Sequence, residues 1–305
     1  MVKKSFINPI IPHTEIKNTG DPFVVRHGGA YYHCYADWDG VYITKSPTLW
    51  DIGKHQPKKI YDYNKEGALS RWYAPELHYV DGAWYVYGSP DYGNDNHVMS
   101  ALCCRGDDPL GEYEFKGQIR GLENQWTIDG TVFYYKDVWW FSWTNCSQLF
   151  LAKMDGPLAI QGDVLILTTP EYAFEKQGSP VNEGSAAIVR NGKLFIVYSA
   201  SDSKSDGYCL GLLEFIGENA EDMLKKDKWR KTPYAVFEQT DGVYGPGHCS
   251  FTKVEKDGVD EDYIVYHANL VSGSGWNGRS VWAQKFAFNE EGKPVFGIPQ
   301  KECII

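Results

Sequence analysis

The sequence predicts an all-β fold, a five-bladed β-propeller forming a single domain over residues 1–305. Three observations lead there. A turn signal followed by an aromatic, β-branched run recurs five times, starting at residues 28, 81, 136, 191 and 260. Another β-prone run stands just upstream of each, so each pair reads as a hairpin. The period of roughly 50 residues holds three or more strands, which suits a propeller blade and not a helical repeat.

The units follow in order. The first is 28–35 (GGAYYHCY) behind 23–26, and the second is 81–88 (DGAWYVYG) behind 77–80. The third is 136–143 (KDVWWFSW) behind 131–135, the fourth 191–199 (NGKLFIVYS) behind 185–190, and the fifth 260–267 (DEDYIVYH) behind 250–254. Asp-Gly and Asn-Gly between apolar runs are strong hairpin signals because their backbones accept positive φ. The last spacing, 69 residues against 53–55 for the others, has a visible cause in 219–229 (NAEDMLKKDKW). Asn219 stands where a helix N-cap would, with acids in the first turn and lysines in the last, so a short surface helix is expected there. No Pro/Gly linker divides the chain.

Composition narrows the function. The chain is 43% hydrophobic with 21 Tyr, 14 Phe and 11 Trp, ample for a core. Its formal net charge is −10, with no basic stripe to neutralise phosphates or anionic lipids, so nucleic acid and membrane are not expected partners. The opening Met1-Val2-Lys3-Lys4 is followed by Asn and Pro before any apolar stretch of signal-peptide length. Seven cysteines, odd in number and without paired CxxC spacing, suggest neither a disulfide framework nor a zinc ribbon. A cytoplasmic location is the expectation. The stretch 273–278 (GSGWNG) fits GxGxxG, but the alternating 280–288 (SVWAQKFAF) after it reads as a strand, so dinucleotide binding is rejected.

Chemistry enters at the residue opening each unit. Asp21, Glu76, Asp129, Glu183 and His248 follow one another at steps of 55, 53, 54 and 65 residues, and are expected at equivalent positions of the five blades. Rotation about the propeller axis would then bring five polar side chains together at one end of the channel. Converging, partly desolvated carboxylates push their pKa values apart, leaving a protonated donor beside ionised neighbours. Such a set suits glycosidic bond cleavage, in which one group protonates the leaving oxygen and another activates water. Trp38, Trp72 and Trp126 lie in or beside these segments and are candidates for stacking on sugar faces.

These motifs resemble glycoside hydrolase family 43, and the resemblance covers nearly the whole chain. It rests on Asp21-Pro22, on Trp72-Tyr73-Ala74-Pro75-Glu76, on Ile128-Asp129-Gly130 and on Asn182-Glu183-Gly184. The resemblance implies an inverting enzyme with Asp21 as general base, Glu183 as general acid and Asp129 orienting the acid and tuning its pKa. The stretch 243–251 (VYGPGHCSF), followed by Tyr266-His267-Ala268, is similar to the arabinan-active branch, although Cys249 stands where many relatives carry Asn. In that branch the histidine, here His248, reaches the channel and holds a calcium ion with waters. One imidazole is a poor site for a hard cation, so such an ion must be mostly water-coordinated. Arg279 resembles the family arginine that contacts the sugar or a catalytic carboxylate.

The expected activity is therefore that of an exo-acting α-L-arabinofuranosidase on arabino-oligosaccharides, without organic cofactor. A β-xylosidase, an endo-arabinanase and, from another class, a non-catalytic glycan-binding propeller are the alternatives. An inverting pair of carboxyl groups is expected about 6.5–9.5 Å apart, against about 5–5.5 Å for a retaining pair. The oligomeric state is not legible in the sequence.

Overall fold

A computed structural model describes residues 5–13 and 19–305; the basic opening of the chain, Met1-Val2-Lys3-Lys4, lies outside these residues. Four blades are four-stranded antiparallel sheets. Blade one comprises Phe23–His27, Ala30–Asp37, Gly40–Ser46 and Pro57–Asp62, and blade two Tyr73–Val80, Ala83–Ser89, Ser100–Arg105 and Glu114–Gln118. Blade three runs through Ile128–Tyr135, Val138–Thr144, Leu149–Met154 and Ile160–Thr168, and blade four through Asn182–Arg190, Lys193–Ala200, Cys209–Phe215 and Trp229–Lys231. Blade five has Tyr244–Lys256, Val259–Asn269 and Arg279–Lys285. The first strand of each blade touches the first strands of both neighbours, and blade five returns to blade one, so the ring closes.

The five hairpin turns read from the sequence are all present, and both central residues of each have positive φ. They are Gly28-Gly29, Asp81-Gly82, Lys136-Asp137, Asn191-Gly192 and Asp257-Gly258. That geometry matches the twist of the flanking strands. The fifth turn falls at 257 and not at 260, because its strands are longer than the other pairs and begin before the aromatic run. The middle strands read as continuous apolar runs because neighbouring blades cover both their faces. Ala83–Ser89 is buried throughout, and Trp84, Trp140 and Trp282 are fully buried between blades.

Near the start of the chain, Ile11 pairs with Val281 through two backbone hydrogen bonds of 2.9 and 3.2 Å, supplying blade five with a fourth strand position. Asn8 adds side-chain bonds to the amide and carbonyl of Ala283, and Ser5–Ile7 pairs with Glu302–Ile304. The two ends of the chain thus lock blade five.

The surface helix expected at 219–229 is instead two short 3-10 turns, Ala220–Leu224 and Lys226–Lys228. Asn219 does cap the first, its Oδ1 accepting from Asp222 N at 3.1 Å. Lys225 is extended, and the carbonyl of Met223 is taken by Trp229 Nε1 at 2.9 Å, so the turn ends before a helix can propagate. Among the described residues no helix is long and apolar enough to cross a membrane.

Candidate active site

Each inner strand of blades two to five opens on a β-bulge. The ladder skips from Tyr73 to Glu76, from Ile128 to Thr131, from Glu183 to Ala186 and from Gly247 to Ser250. The first residue of each bulge has positive φ: Ala74, Asp129, Gly184 and His248, with Asp21 alike at the head of blade one. This alignment corrects the equivalence expected from spacing. Asp21, Asp129 and His248 share one position, whereas Glu183 lies one residue before it and Glu76 two after.

A bulge frees backbone amides from the ladder, and each buried N–H must find a partner. Here the partners are groups of the site. Gly184 N donates to Asp129 Oδ2 at 3.1 Å, His248 N to Ser199 Oγ at 2.8 Å, and Asp21 N to His267 Nδ1 at 3.1 Å. Only glycine suits position 184: its φ is +53°, and a Cβ would stand 3.0 Å from His248 Nδ1 and from Ser199 Oγ.

Asp21 Oδ1 faces three basic groups: His248 Nδ1 at 3.1 Å, Arg279 Nη1 at 3.2 Å and His267 Nδ1 at 3.4 Å. Burial alone would raise its pKa, but the His248 and Arg279 charges and the hydrogen bond from His248 outweigh that and hold the carboxyl well below the usual range. Asp21 is therefore ionised. The two histidines divide. Burial works against a charge on His248, yet Asp21, Asp129 and Glu183 together lift its pKa to about 10. Burial, with Arg279 and His248 beside it, presses His267 down to about 3. His267 is neutral, as its acceptance of the Asp21 N–H through Nδ1 requires.

Asp129 and Glu183 move the other way. Both are buried, at 5% and 8% exposure, and burial is the largest influence raising each. Asp129 is pushed up to about 7, with the charges of Glu183 and Asp21 adding to the effect of burial and His248 opposing it. Glu183 is raised too, although a 2.8 Å hydrogen bond from Tyr208 Oη to its Oε1 and the His248 charge restrain it. An ionised aspartate thus faces two neighbouring carboxyl groups whose proton affinity is raised.

Arg279 donates through Nη1 to Asp21, and its Nη2 is anchored on the carbonyl of Ser203 at 3.0 Å. Trp38 stands at the tip of the second hairpin of blade one, at the same end of the blade as Asp21, and is 84% exposed. Trp126 is half-buried just before Ile128–Tyr135, with Nε1 on the carbonyl of Asp95 at 3.0 Å. Two expected sugar contacts are displaced. Trp72 is 3% exposed, packed edge-on against Tyr61 and Phe115 inside the core, out of reach of a sugar face. Glu76 is buried and bonded to His78 Nε2 at 2.7 Å, so it belongs to the wall between blades one and two, where His78 packs against Phe23.

Sequence reasoning gave no role to Tyr208 or His267. Their rings lie parallel, 5.5 Å apart and 4° from coplanar, and Tyr208 fills the space above Gly247, where a Cβ would come within 2.3 Å of its ring. The glycine before His248 was the one available signal for that close approach.

A five-bladed propeller with buried acids converging at one end of its axis is the architecture of a glycoside hydrolase. The sequence profile of glycosyl hydrolases family 43 matches residues 6–294, and the chain belongs to that family. It is 33% identical to an extracellular exo-α-(1→5)-L-arabinofuranosidase of Streptomyces avermitilis over 98% of this chain, and spans 65% of that relative's length. A protein of the same description from Streptomyces chartreusis is 32% identical over 83% of this chain and 80% of its own. Among solved structures, an α-L-arabinofuranosidase from Lactobacillus brevis superposes with a TM-score of 0.85 at 30% identity, over 97% of both chains.

Proposed function

We propose that this protein is an inverting, exo-acting hydrolase that releases terminal α-L-arabinofuranose from arabinan-derived oligosaccharides. The observation that carries the reading is the opposite proton affinity of the facing carboxyl groups: Asp21 held ionised, Asp129 and Glu183 raised. Glu183 gives its proton to the glycosidic oxygen as the bond to the anomeric carbon breaks. Asp21 takes a proton from the water that attacks that carbon on the opposite face. Asp129, joined to Gly184 N beside Glu183, keeps negative charge near the acid and so keeps its proton on. Arg279 fixes Asp21, while Trp38 and Trp126 at the rim offer apolar faces to sugar rings. The likeness to three arabinofuranosidases supports arabinofuranose over xylose, and the likeness to the two exo-α-(1→5)-L-arabinofuranosidases of Streptomyces supports the exo mode and the 1→5 linkage.

The proposal includes one calcium ion in the channel, mostly water-coordinated, on His248. Three carboxyl groups around that ring create a demand for positive charge, which either a proton on the ring or a cation beside it meets. With Nδ1 turned to Asp21, Nε2 is the atom left for the ion. When bound, it supplies a fixed positive charge beneath the acids. Stoichiometric calcium surviving mild dialysis supports it, and its absence removes the ion from the proposal. A cytoplasmic location is proposed on the seven cysteines, all unpaired, although the Streptomyces relatives are described as extracellular. Fractionation of the native cells tests it.

The deciding experiment follows release of p-nitrophenol from the α-L-arabinofuranoside and the β-D-xyloside by wild type and Glu183→Ala. Arabinoside turnover lost in the variant supports the proposal, and proton NMR should show the β-anomer of arabinose forming first. Preference for the xyloside changes the substrate and keeps the mechanism. A folded protein inactive on both compounds and on arabino-oligosaccharides would be a glycan-binding propeller.

A further inference from the structure

Blade two carries a second cluster of acid and imidazole groups, outside the catalytic set. Residues 91–97 form a small hairpin after Ala83–Ser89, held by a bridge between Asp91 and His97 and by Tyr92 N donating to Asn96 O at 2.9 Å. The bridge sets Asp91 and His97 side by side across the ladder, and Asp95 comes from the turn between them. One donor atom from each of Asp91, Asp95 and His97 lies within 4.8 Å of the others.

The histidine carries the argument. His97 is completely buried, stacked flat on Tyr73 at 3.7 Å between ring centroids, and its Nδ1 donates to the carbonyl of Ser89 at 2.8 Å. The carbonyl can only accept, so Nδ1 carries a proton and Nε2 is the ring atom left for another partner. A carbonyl holding one ring nitrogen so that the other is free is the usual support of a metal-binding histidine. Nε2 has no hydrogen-bond partner, yet it is aimed at a carboxylate, Asp95 Oδ1, 3.5 Å away. A cation between the two atoms would give both a partner. The spacing also fits one, since ligands about 2.0–2.2 Å from a tetrahedral ion stand about 3.3–3.6 Å apart.

We infer that Asp91, Asp95 and His97 form a site for one divalent ion of the zinc type, with water completing its coordination. One nitrogen and two carboxylates suit such borderline ions, whereas calcium requires six or more oxygens. The site is preorganised on Asp91 as well, because Oδ1 is fixed by Gly93 N at 2.8 Å and Asn96 N at 3.0 Å, leaving Oδ2 outward. That oxygen and Asp95 Oδ1 are spanned by Arg71, at 3.0 and 2.6 Å. Arg71 and the ion are mutually exclusive. The arginine side chain is 53% exposed and free to leave, and exchanging its single charge for a divalent ion neutralises the two carboxylates. Because Asp95 O also receives Trp126 Nε1, an ion here fixes the segment that holds a rim tryptophan.

The test is a titration of the metal-stripped full chain with Zn2+, read by calorimetry and by tryptophan emission. Wild type should bind one equivalent that Ca2+ does not displace. Asp95→Asn should weaken this by about tenfold or more and His97→Gln should abolish it, while Arg71→Gln should tighten it by up to about tenfold, the competing ion pairs being surface ones. No one-to-one binding by the wild type, or an equivalent kept unchanged by Asp95→Asn, overturns the site. Asp95 is 66% exposed, so its variant decides the matter even if His97→Gln does not fold.

Discussion

Tyr208→Phe isolates one contact of the acid. The phenol donates to Glu183 Oε1 at 2.8 Å, and the ring stays stacked on His267 and over Gly247 when the hydroxyl is removed. A donor to a carboxylate stabilises the ionised form, so it lowers the pKa, and its loss must raise it. Hydrogen bonds to charged groups contribute about 1.5–3 kcal/mol. At 1.36 kcal/mol per pKa unit this is about one to two units, and the lower figure is expected because a protonated carboxyl still accepts weakly. Glu183 interacts with Asp129, so the alkaline limb of activity reports the second proton lost by the pair. The assay is kcat/KM for the arabinoside against pH. In the variant the alkaline limb should move up by about one unit, with the acid limb unmoved because Asp21 keeps His248 and Arg279. An alkaline limb that stays in place or moves down refutes Glu183 as the general acid, or Tyr208 as its donor.

Two further changes probe stability. Gly184→Ala puts a side chain at φ +53° and 3.0 Å from two buried polar atoms. The left-handed conformation costs about 1–2 kcal/mol and the contacts add to it, so Tm should fall by about 5 °C; an unchanged melt would show that the bulge relaxes freely. Glu175, fully buried, accepts from the amides of Glu171 and Tyr172 at 2.6 and 2.7 Å and meets Lys231 Nζ at 2.5 Å. Burial would raise its pKa, but Lys231 and the two amides lower it on balance. A carboxyl with a depressed folded pKa stabilises above its unfolded value, so stability should fall as pH drops below about 5. The depressed pKa of Lys231, which burial pushes down, lowers stability by a constant amount across this acidic range and leaves the slope to Glu175. Glu175→Ala should cost about 3 kcal/mol, the low end for a broken buried pair, since Lys231 retains the carbonyl of Thr169 at 2.8 Å. Denaturant melts from pH 3.5 to 7 check both statements, and a flat profile in wild type sinks the first.

The blades were legible because each repeats one local device, a positive-φ hairpin turn between apolar runs, and local devices survive in sequence. Residue counting failed where the device is irregular. A bulge sets extra residues against the partner strand, so spacing places Glu76, Asp129 and Glu183 together, whereas the ladder separates them by one to three positions. Trp72 was misread for a different reason. Its burial depends on Gly88 in the next strand, where a Cβ would meet the indole at 2.9 Å, and nothing near Trp72 announces that gap. Tyr208 stands just before the third strand of its blade, Cys209–Phe215, and repeats nowhere, so no register argument could find it.

The bulges also explain why these residue types carry the chemistry. The shared position demands positive φ, which Asp, Asn and His tolerate better than other side chains. Asp21, Asp129 and His248 meet that demand and bring charge to the axis. In blade four the same position is closed to any side chain by His248 and Ser199, so the acid comes from the residue before it. Glu183 still pairs in the ladder, opposite Ser199, and reaches Tyr208 instead of a bulge amide. The amide that the blade-four bulge releases, Gly184 N, binds Asp129 from blade three. The distortion in blade four thus supplies the backbone donor that Asp129 accepts, and ties the proton affinity of that carboxyl group to the packing of the next blade.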